Sequence, residues 1–293
     1  MDLPNPFAAD GVWYRGNLHA HSISSDGVLT PEALCGVYRA AGYDFLAITD
    51  HGRVTIPASV PDGLLCIPGA ELNAGPFHLV ALNLSEPFDC TGLSRQEMID
   101  LTAGAGATPL VCHPYWSGIT STELLSLREF SLMEMFNLSA EHAEARGCSS
   151  IHWDELLQTG RVVFGAAVDD CHRGCEPGPF SDIAGSWVMV RAKELSVPAV
   201  CEALSAGMFY SSTGVTIEDV RFDGKTAWVR SSPVDYADFI SYNGLSRRIS
   251  GMGRTFTEVE CTLRGREPYL RIALGTRDGA RAWTNPLFVH QMR

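Results

Sequence analysis

The sequence predicts an α/β protein, with a parallel sheet covered by helices and a small all-β segment after it. Two observations predict this class. Short apolar runs alternate with helical patterns up to about residue 212, and after Gly214 the residues Val, Phe, Tyr, Ile and Thr recur in short alternating segments. The apolar runs cover residues 45–49, 64–67, 78–82, 109–112, 132–136, 162–168 and 186–190.

Local signals place helices between these runs. Thr30 can cap a helix whose first turn suits Pro31 and which ends at Gly42. Ser94, followed three residues later by Glu97, resembles a capping box. Strand and helix patterns therefore alternate as they do in βα units, which build parallel sheets.

The segment after residue 215 differs in pattern and in charge. Asp-Gly, Asn-Gly and Asp-Gly pairs at 223–224, 243–244 and 278–279 are hairpin-type turn signals. Residues 1–215 carry 10 basic and 25 acidic side chains, whereas residues 216–293 carry 12 basic and 9 acidic ones. We therefore expect two domains, 1–215 and 216–293, the second a small β-sandwich-like domain.

Composition narrows the class of protein. The formal net charge of −12 disfavours a nucleic-acid binder, because such proteins neutralise phosphates with Lys and Arg. No apolar run approaches the roughly 18 to 20 residues that cross a bilayer, and residues 1–10 lack the basic start and apolar stretch of a signal peptide. The nine cysteines include no CxxC pair, which is typical of free thiols in a reducing compartment. We expect a cytoplasmic enzyme without membrane or nucleic-acid partners, and its oligomeric state stays open.

Histidines and carboxylates gather at the ends of the predicted strands. His19 and His21 lie two apart, so on an extended segment both side chains point to the same face and can hold one ion. Parallel strands collect their carboxyl ends on one rim, so residues more than 150 positions apart would converge there. The residues with this placement are His19, His21, Asp26, Asp50, His51, Glu71, His113, Asp170 and His172.

Taken together, these residues predict a metal site. A single histidine at a strand end is more often a satisfied polar residue than a ligand, and Glu71 alone is compatible with a surface salt bridge. Packing acids and imidazoles together, however, costs desolvation free energy unless cations compensate. Nitrogen and oxygen ligands without thiolate favour zinc, manganese or iron.

Five motifs carry a family resemblance. The segments N-L-H-A-H-S-I-S-S-D-G (17–27), A-I-T-D-H-G (47–52), P-G-A-E (68–71), C-H-P (112–114) and D-D-C-H (169–172) resemble the polymerase and histidinol phosphatase (PHP) family of metallohydrolases. The segments W-Y-R-G-N-L-H-A-H (13–21), F-Y-S-S-T-G (209–214) and A-W-T-N-P-L (282–287) are similar to its carbaryl hydrolase-like branch, whose members carry a C-terminal β domain. The resemblance covers nearly the whole chain.

The resemblance implies a distorted (β/α)7 barrel of PHP type with a small C-terminal all-β domain, and a site for two or three divalent ions. Glu71 is implied to bridge the first two ions, and Asp26 occupies a position where other members have histidine. The implied ligands fall into three sets: His19, His21, Glu71 and Asp170 for the first ion, Glu71, His78 and His113 for the second, and Asp26, His51 and His172 for the third.

The ligand set and the resemblance together imply a hydrolase in which two ions share a water, lower its pKa and produce a hydroxide that attacks an ester. We expect phosphoesterase activity on a small molecule. Glu71, Asp50 and Arg173 are the candidate catalytic residues, Arg173 and Arg15 are candidates to meet the substrate's charge, and Trp116 is a candidate to line the pocket mouth. Two alternatives stay open: carboxyl-ester or carbamate hydrolysis at the same site, and a non-catalytic, metal-dependent binding module.

Overall fold

A large mixed sheet organises the molecule, which a computed structural model describes over residues 3–173 and 181–290. Its strands and those of a second, small sheet are β1 (Val12–Asn17), β2 (Phe45–Ile48), β3 (Leu65–Ala74), β4 (Phe77–Leu82), β5 (Thr108–Val111), β6 (Leu132–Asn137), β7 (Phe164–Val168), β8 (Trp187–Ala192), β9 (Phe209–Ser212), β10 (Ile217–Phe222), β11 (Thr226–Val234), β12 (Tyr236–Ile240), β13 (Arg247–Ser250), β14 (Phe256–Thr262), β15 (Tyr269–Gly275), β16 (Arg281–Thr284) and β17 (Phe288–Val289). The helices are α1 (Pro31–Ala40), α2 (Arg95–Gly104), α3 (Ser121–Ser126), α4 (Leu138–Glu144), α5 (Ser150–Gln158) and α6 (Val197–Ser205).

The predicted α/β class is confirmed, since each predicted apolar run coincides with one of the strands β2 to β8. Capping also follows the sequence signals: Thr30 accepts a hydrogen bond from the Ala33 N–H at the start of α1, and Ser94 and Glu97 form a capping box on α2. The strand β1 was not predicted, because its sequence V-W-Y-R-G-N mixes apolar and polar residues and gives only a weak strand signal.

The large sheet runs in the order β13-β12-β15-β16-β9-β8-β1-β2-β3-β4-β5-β6-β7, and its pairing is only partly parallel. β1, β2 and β3 pair in parallel, as do β5, β6 and β7, but β4 is antiparallel to both β3 and β5. A two-residue turn with Gly75 at φ +61° joins β3 directly to β4. The register pairs Asn73 with His78, so β4 begins at the rim where β3 ends.

The expected closed barrel is not found. Among the described residues, β7 forms a ladder only with β6. Side chains span the gap on its other side: Ser211 Oγ donates to the Gly165 carbonyl at 2.8 Å and accepts from the Ala167 N–H at 3.0 Å, and Asn285 Oδ1 accepts from the Gly165 N–H at 3.0 Å. At the rim, an isolated bridge joins Ala20 to Cys171. The β7 end of the sheet therefore curls back towards β9 and the end of β1, which it meets through side chains and one bridge, without a continuous ladder.

The residues after 216 continue the large sheet and also form a second one. β16 pairs with β9, which brings β12, β13 and β15 into the large sheet, while β10, β11 and β14 make a separate three-stranded sheet. The described part of this segment contains strands and no helix, in line with the all-β expectation. One apolar core contains Met133 of β6, Trp153 of α5 and Trp283 of β16, so side chains of the two predicted domains pack against each other. The division of the chain at residue 215 stays a prediction.

No helix among the described residues has both the length and the apolar character that a bilayer crossing requires.

One partly buried ion pair joins a helix of the first part to the C-terminal strands. Arg271 on β15 is 2% exposed, and its Nε and Nη2 each donate to one oxygen of Asp154 on α5 at 2.7 Å. The Trp153 ring lies 4.7 Å from the guanidinium carbon of Arg271. A second bidentate pair, Arg248 with Asp238, has a guanidinium side chain that is 62% exposed.

We predict that Asp154→Asn lowers the free energy of unfolding by about 3 kcal/mol, because it leaves a buried guanidinium without its counter-charge. The matched substitution Asp238→Asn disrupts a bidentate pair of the same kind at the surface and should lower the free energy of unfolding by at most about 1 kcal/mol. Urea unfolding of both variants checks this expectation. Equal effects at the two positions would contradict it.

Candidate metal centre

The rim of the large sheet brings together all nine residues of the predicted ligand set. His19 and His21 follow β1, His51 follows β2, His113 follows β5, and Asp170 and His172 follow β7, while Glu71 lies on β3 and His78 on β4. Their nitrogen and oxygen atoms form three groups, in each of which the atoms lie within 4.8 Å of one another: His19, His21, Glu71 and Asp170; Glu71, His78 and His113; and His21, Asp26, His51 and His172. Such groups could hold metal ions.

The first group has the spacing of a coordination shell. The Nε2 atoms of His19 and His21 are 3.1 Å apart, and Asp170 Oδ1 is 3.1 Å from each of them. Glu71 Oε2 is 3.3 Å from both Nε2 atoms. Donor atoms placed tetrahedrally about 2.0 to 2.1 Å from one ion are themselves roughly 3.3 to 3.4 Å apart. The four atoms therefore fit around a single ion.

Glu71 also faces the second group with its other oxygen. Glu71 Oε1 lies 2.7 Å from His78 Nδ1 and 3.3 Å from His113 Nε2. His78 reaches this point because β4 is antiparallel and starts at the rim where the parallel strands end. One carboxylate thus belongs to two groups at once, which is the arrangement that a bridging ligand requires.

The third group is looser and more exposed. Asp26 Oδ2 is 3.5 Å from Nε2 of His51 and of His172, and the side chain of Asp26 is 52% exposed. The buried Nδ1 of His51 makes no hydrogen bond to any described residue, although Glu71 Oε2 is 3.1 Å away. Burial lowers the pKa of His51, with only partial compensation from the charge on Glu71, so this imidazole is readily neutral and available as a ligand.

The electrostatics of the cluster are those of a cation site. Burial alone would lower the pKa of His19, but the charges of Asp170, Glu71 and Glu134 outweigh it and raise that pKa well above its usual value. The pKa of His21 likewise rises to about 9, against burial, through hydrogen bonds to Asp170 and Glu71. Burial would raise the pKa of Glu71, yet the imidazoles around it hold that pKa well below its usual value. The carboxylates therefore demand positive charge, which protons or metal ions can supply.

The donor atoms are compatible with a metal ion as one of these two sources of charge. The Nε2 atoms of His19 and His21 face each other at 3.1 Å, where at most one proton can lie between them, whereas a divalent ion can accept both lone pairs. The three groups contain imidazole and carboxylate donors without thiolate. This set suits zinc, manganese or iron.

Two supporting residues escaped the sequence-based prediction. Glu134 on β6 is fully buried and hydrogen-bonds His19, and Asn137 at the end of β6 hydrogen-bonds both Glu134 and Asp170. The available signal was a glutamate inside the apolar run L-M-E-M-F-N, because an acid on a strand with both faces buried needs a specific partner.

Asp50 is placed behind the site and not in its cavity. Its carboxylate is fully buried and accepts from the N–H and the hydroxyl of Ser22, both at 2.7 Å, and from the hydroxyls of Ser25 and Thr55. Ser25 Oγ in turn lies 3.4 Å from His21 Nδ1. Asp50 is a candidate catalytic residue by sequence, whereas this geometry supports a role in orienting the loop that carries His21.

A cavity of about 370 Å³ opens onto the three groups. Arg173 and Trp116, two of the candidate substrate contacts, both line it, and Ala140 and Ala143 of α4 form part of its wall. The Trp116 ring packs edge-on against His113, with centroids 4.9 Å apart, and its Nε1 donates to Glu144 at 3.0 Å.

The expectation that Arg15 contacts substrate is corrected. Its guanidinium carbon lies 3.7 Å from the ring centre of Trp187 and 4.3 Å from that of Tyr43, and Nη1 donates to the Ala41 carbonyl. Arg15 is not among the residues that line the cavity. Its role is structural stacking on the outer face of the sheet.

A comparison with one solved structure agrees with this fold. A two-domain protein from Bacteroides vulgatus ATCC 8482, described as containing a predicted PHP-like metal-dependent phosphoesterase, is 17% identical, with a TM-score of 0.52 over 94% of this chain and 95% of that one. At this identity the likeness shows a common fold. An amidohydrolase from Chromobacterium violaceum with bound sulfate and no metal is 14% identical, with a TM-score of 0.40 over 57% of this chain and 93% of its own.

The sequence comparisons are narrower. The 5'-3' exoribonuclease Rnm of Escherichia coli (strain K12) is 37% identical over 95 residues, which make up 27% of this chain and 32% of that protein. The chain thus matches about a third of the length of this curated relative. No family model matches the chain.

We predict that removing metal ions destabilises the protein and that the loss grows with pH. In the metal-free state the pKa of His21 is raised from 6.5 to about 9, so its protonated form contributes stability that is complete below pH 6.5 and is lost as the pH rises through about 9. Metal binding needs neutral imidazoles, so the affinity of the protein for metal ions rises over the same pH range. Thermal unfolding at several pH values between about 6 and 9.5, with chelator or with added manganese, measures both effects. Melting temperatures that coincide with and without chelator at every pH would rule out a tightly bound ion.

Proposed function

We propose that this chain is a PHP-family hydrolase that uses two or three divalent ions to cleave a phosphoester of a small molecule. The observation that carries the proposal is the position of Glu71, whose two oxygens serve two adjacent groups of imidazoles. Support comes from the five sequence motifs, from the fold shared with a protein described as containing a predicted PHP-like metal-dependent phosphoesterase, and from the cavity above the groups.

The chain's own residues prepare this site in three ways. Glu71 would fix the first two ions relative to each other, since a short, buried carboxylate allows little variation in their separation. Trp116 packs against His113 and restricts the orientation of that imidazole. Arg173 at the cavity edge supplies a cation that can meet a substrate phosphate. Ions bound in these groups would contribute Lewis acidity and lower the pKa of a shared water.

Phosphoester is preferred as the substrate bond for two reasons. Arg173 faces the cavity with a planar cation that suits phosphate oxygens, and the name of the curated relative, an exoribonuclease, describes an enzyme that cleaves phosphodiesters. A carboxyl ester or carbamate remains the alternative substrate, because the same ion-activated water attacks those bonds as well. A non-catalytic, metal-dependent binding module is the alternative of another class.

The exoribonuclease likeness adds a second candidate function, the removal of nucleotides from the end of an RNA strand. The net charge of −12 argues for a small substrate over a long polyanion. A 5'-phosphorylated oligoribonucleotide should therefore be tested next to small phosphoesters.

We predict that the metal-loaded protein hydrolyses bis-p-nitrophenyl phosphate and that Glu71→Gln lowers kcat/KM by at least about a hundredfold while the fold is retained. The substitution keeps the side-chain volume but removes the charge and one oxygen donor. Glu202→Gln, at an exposed position on α6, is the control and should behave like the unmodified protein. Naphthyl acetate and the oligoribonucleotide complete the panel. Turnover of naphthyl acetate alone would contradict phosphoester hydrolysis and support a carboxyl-ester hydrolase. Turnover of none of the substrates would favour the binding module.

We predict that Arg173→Ala reduces turnover of anionic phosphoesters at least about tenfold more than turnover of a neutral ester, because a charge-assisted hydrogen bond to phosphate is worth about 1.5 to 3 kcal/mol. The neutral ester assayed on the same variant is the internal control. The same reduction for both substrates would remove Arg173 from phosphate binding.

A further inference from the structure

Glu134 is a fully buried carboxylate beside the first group, and no part of the proposed reaction accounts for it. It lies on β6 within a strand whose residues are all buried. Its Oε1 is 2.6 Å from His19 Nδ1, and its Oε2 accepts from the His113 backbone N–H at 2.9 Å and from Asn137 Nδ2 at 2.9 Å. A buried acid costs free energy unless it is paired, and here each oxygen has a partner in the site.

Glu134 is not itself a position for an ion. His19, Cys112 and Glu134 lie close enough together to be grouped as potential ligands. An ion in that group would have to bind His19 Nδ1, whereas Nε2 of the same ring faces the first group, and a neutral imidazole has a lone pair on only one of its two nitrogens. The separation of 2.6 Å between Glu134 Oε1 and His19 Nδ1 is therefore not a gap that an ion spans. It is instead the length of a charge-assisted hydrogen bond. The contact is therefore direct, with a proton on Nδ1.

This hydrogen bond fixes which nitrogen of His19 can bind an ion. With the proton on Nδ1, the lone pair of the neutral imidazole is on Nε2, the atom that faces His21, Glu71 and Asp170. A carboxylate behind a ligating histidine holds its tautomer and ring orientation and raises its basicity.

The other oxygen of Glu134 reaches the second group through the main chain. His113 has φ +27°, a conformation that residues other than glycine rarely adopt, and its N–H points at Glu134 Oε2. This bond helps to hold the strained backbone that aims His113 Nε2 at Glu71. Asn137 completes the link, because its Nδ2 donates both to Glu134 and to Asp170 Oδ2, the latter at 3.0 Å.

We infer that Glu134, held by Asn137, is a positioning residue that sets the His19 tautomer and the His113 backbone together and so couples the first two ion positions. The inference rests on the proposed function. Glutamine cannot replace Glu134, because its single amide oxygen can take the place of only one carboxylate oxygen. Its NH2 group would then face either His19 Nδ1 or the N–H groups of His113 and Asn137. If NH2 faces Nδ1, His19 must move its proton to Nε2 and can no longer donate that lone pair to an ion.

The test is ion binding by Glu134→Gln, measured by calorimetric titration with zinc and by the 15N NMR signals of His19 in the zinc-loaded protein. We expect zinc affinity at the tightest site to fall about 10- to 100-fold, together with loss of the Nδ1–H signature. Glu267→Gln is the matched control, since Glu267 is also buried and accepts two backbone N–H groups, but far from the site in the C-terminal segment. It should leave zinc affinity unchanged.

A second variant keeps the test decisive if Glu134→Gln does not fold. Asn137→Ser retains an oxygen that can cap α4 at the Ala140 N–H but loses the amide that joins Glu134 to Asp170. It should weaken zinc binding by a smaller factor than Glu134→Gln. A folded variant of either kind that binds zinc as tightly as the unmodified protein overturns the inference. Failure of the unmodified protein to bind ions would instead overturn the proposed function, so the two failures are distinguishable.

Discussion

A buried carboxylate surrounded by imidazoles is the constraint on which the site depends. Glu71 is 1% exposed, and burial of its charge would be costly without compensating positive charge. The imidazoles with a nitrogen within 3.3 Å of its oxygens are those of His19, His21, His51, His78 and His113. Neutral imidazoles satisfy only part of this demand, and protons or a metal ion among them can supply the rest.

The topology of the sheet places the residues of this cluster at one rim. Parallel strands on either side of β4 deliver His19, His51, His113 and Asp170 at their carboxyl ends. Because β4 is antiparallel to its neighbours, it begins at the rim where they end, and this beginning carries His78. The bridge between Ala20 and Cys171 also brings ligand candidates together, because it joins the segment of His19 and His21 to the segment of Asp170 and His172.

The sequence predicted those features that depend on local patterns. Apolar runs gave the strands β2 to β8, and histidines and acids at the ends of those runs gave the residues that meet at the rim. Interactions between distant residues were not predictable in this way. Arg15 stacks on Trp187 and so does not reach the cavity, and no local sequence signal near Arg15 indicates this contact with a residue so distant in the sequence. The closed ladder was expected by resemblance, whereas Ser211 and Asn285 take its place through side chains.

Glu134 shows a further limit of pattern-based prediction. It lies inside an apolar run, where an acid reduces the strand signal and offers no motif of its own, and its partners His19 and His113 are 115 and 21 residues away. Its role becomes visible only when the strands β5, β6 and the end of β1 are packed together. The residues of the proposed ion site could be identified by type and placement, but those that orient them required the fold.

X-ray diffraction from crystals of the purified protein, recorded on both sides of the zinc, manganese and iron absorption edges, tests the central claim most directly. At least two anomalous peaks are expected, one on each side of the Glu71 carboxylate, with the first among His19, His21 and Asp170. Crystals soaked in zinc and manganese that show no anomalous density next to Glu71, with His19 and His21 joined by a proton in its place, would contradict it.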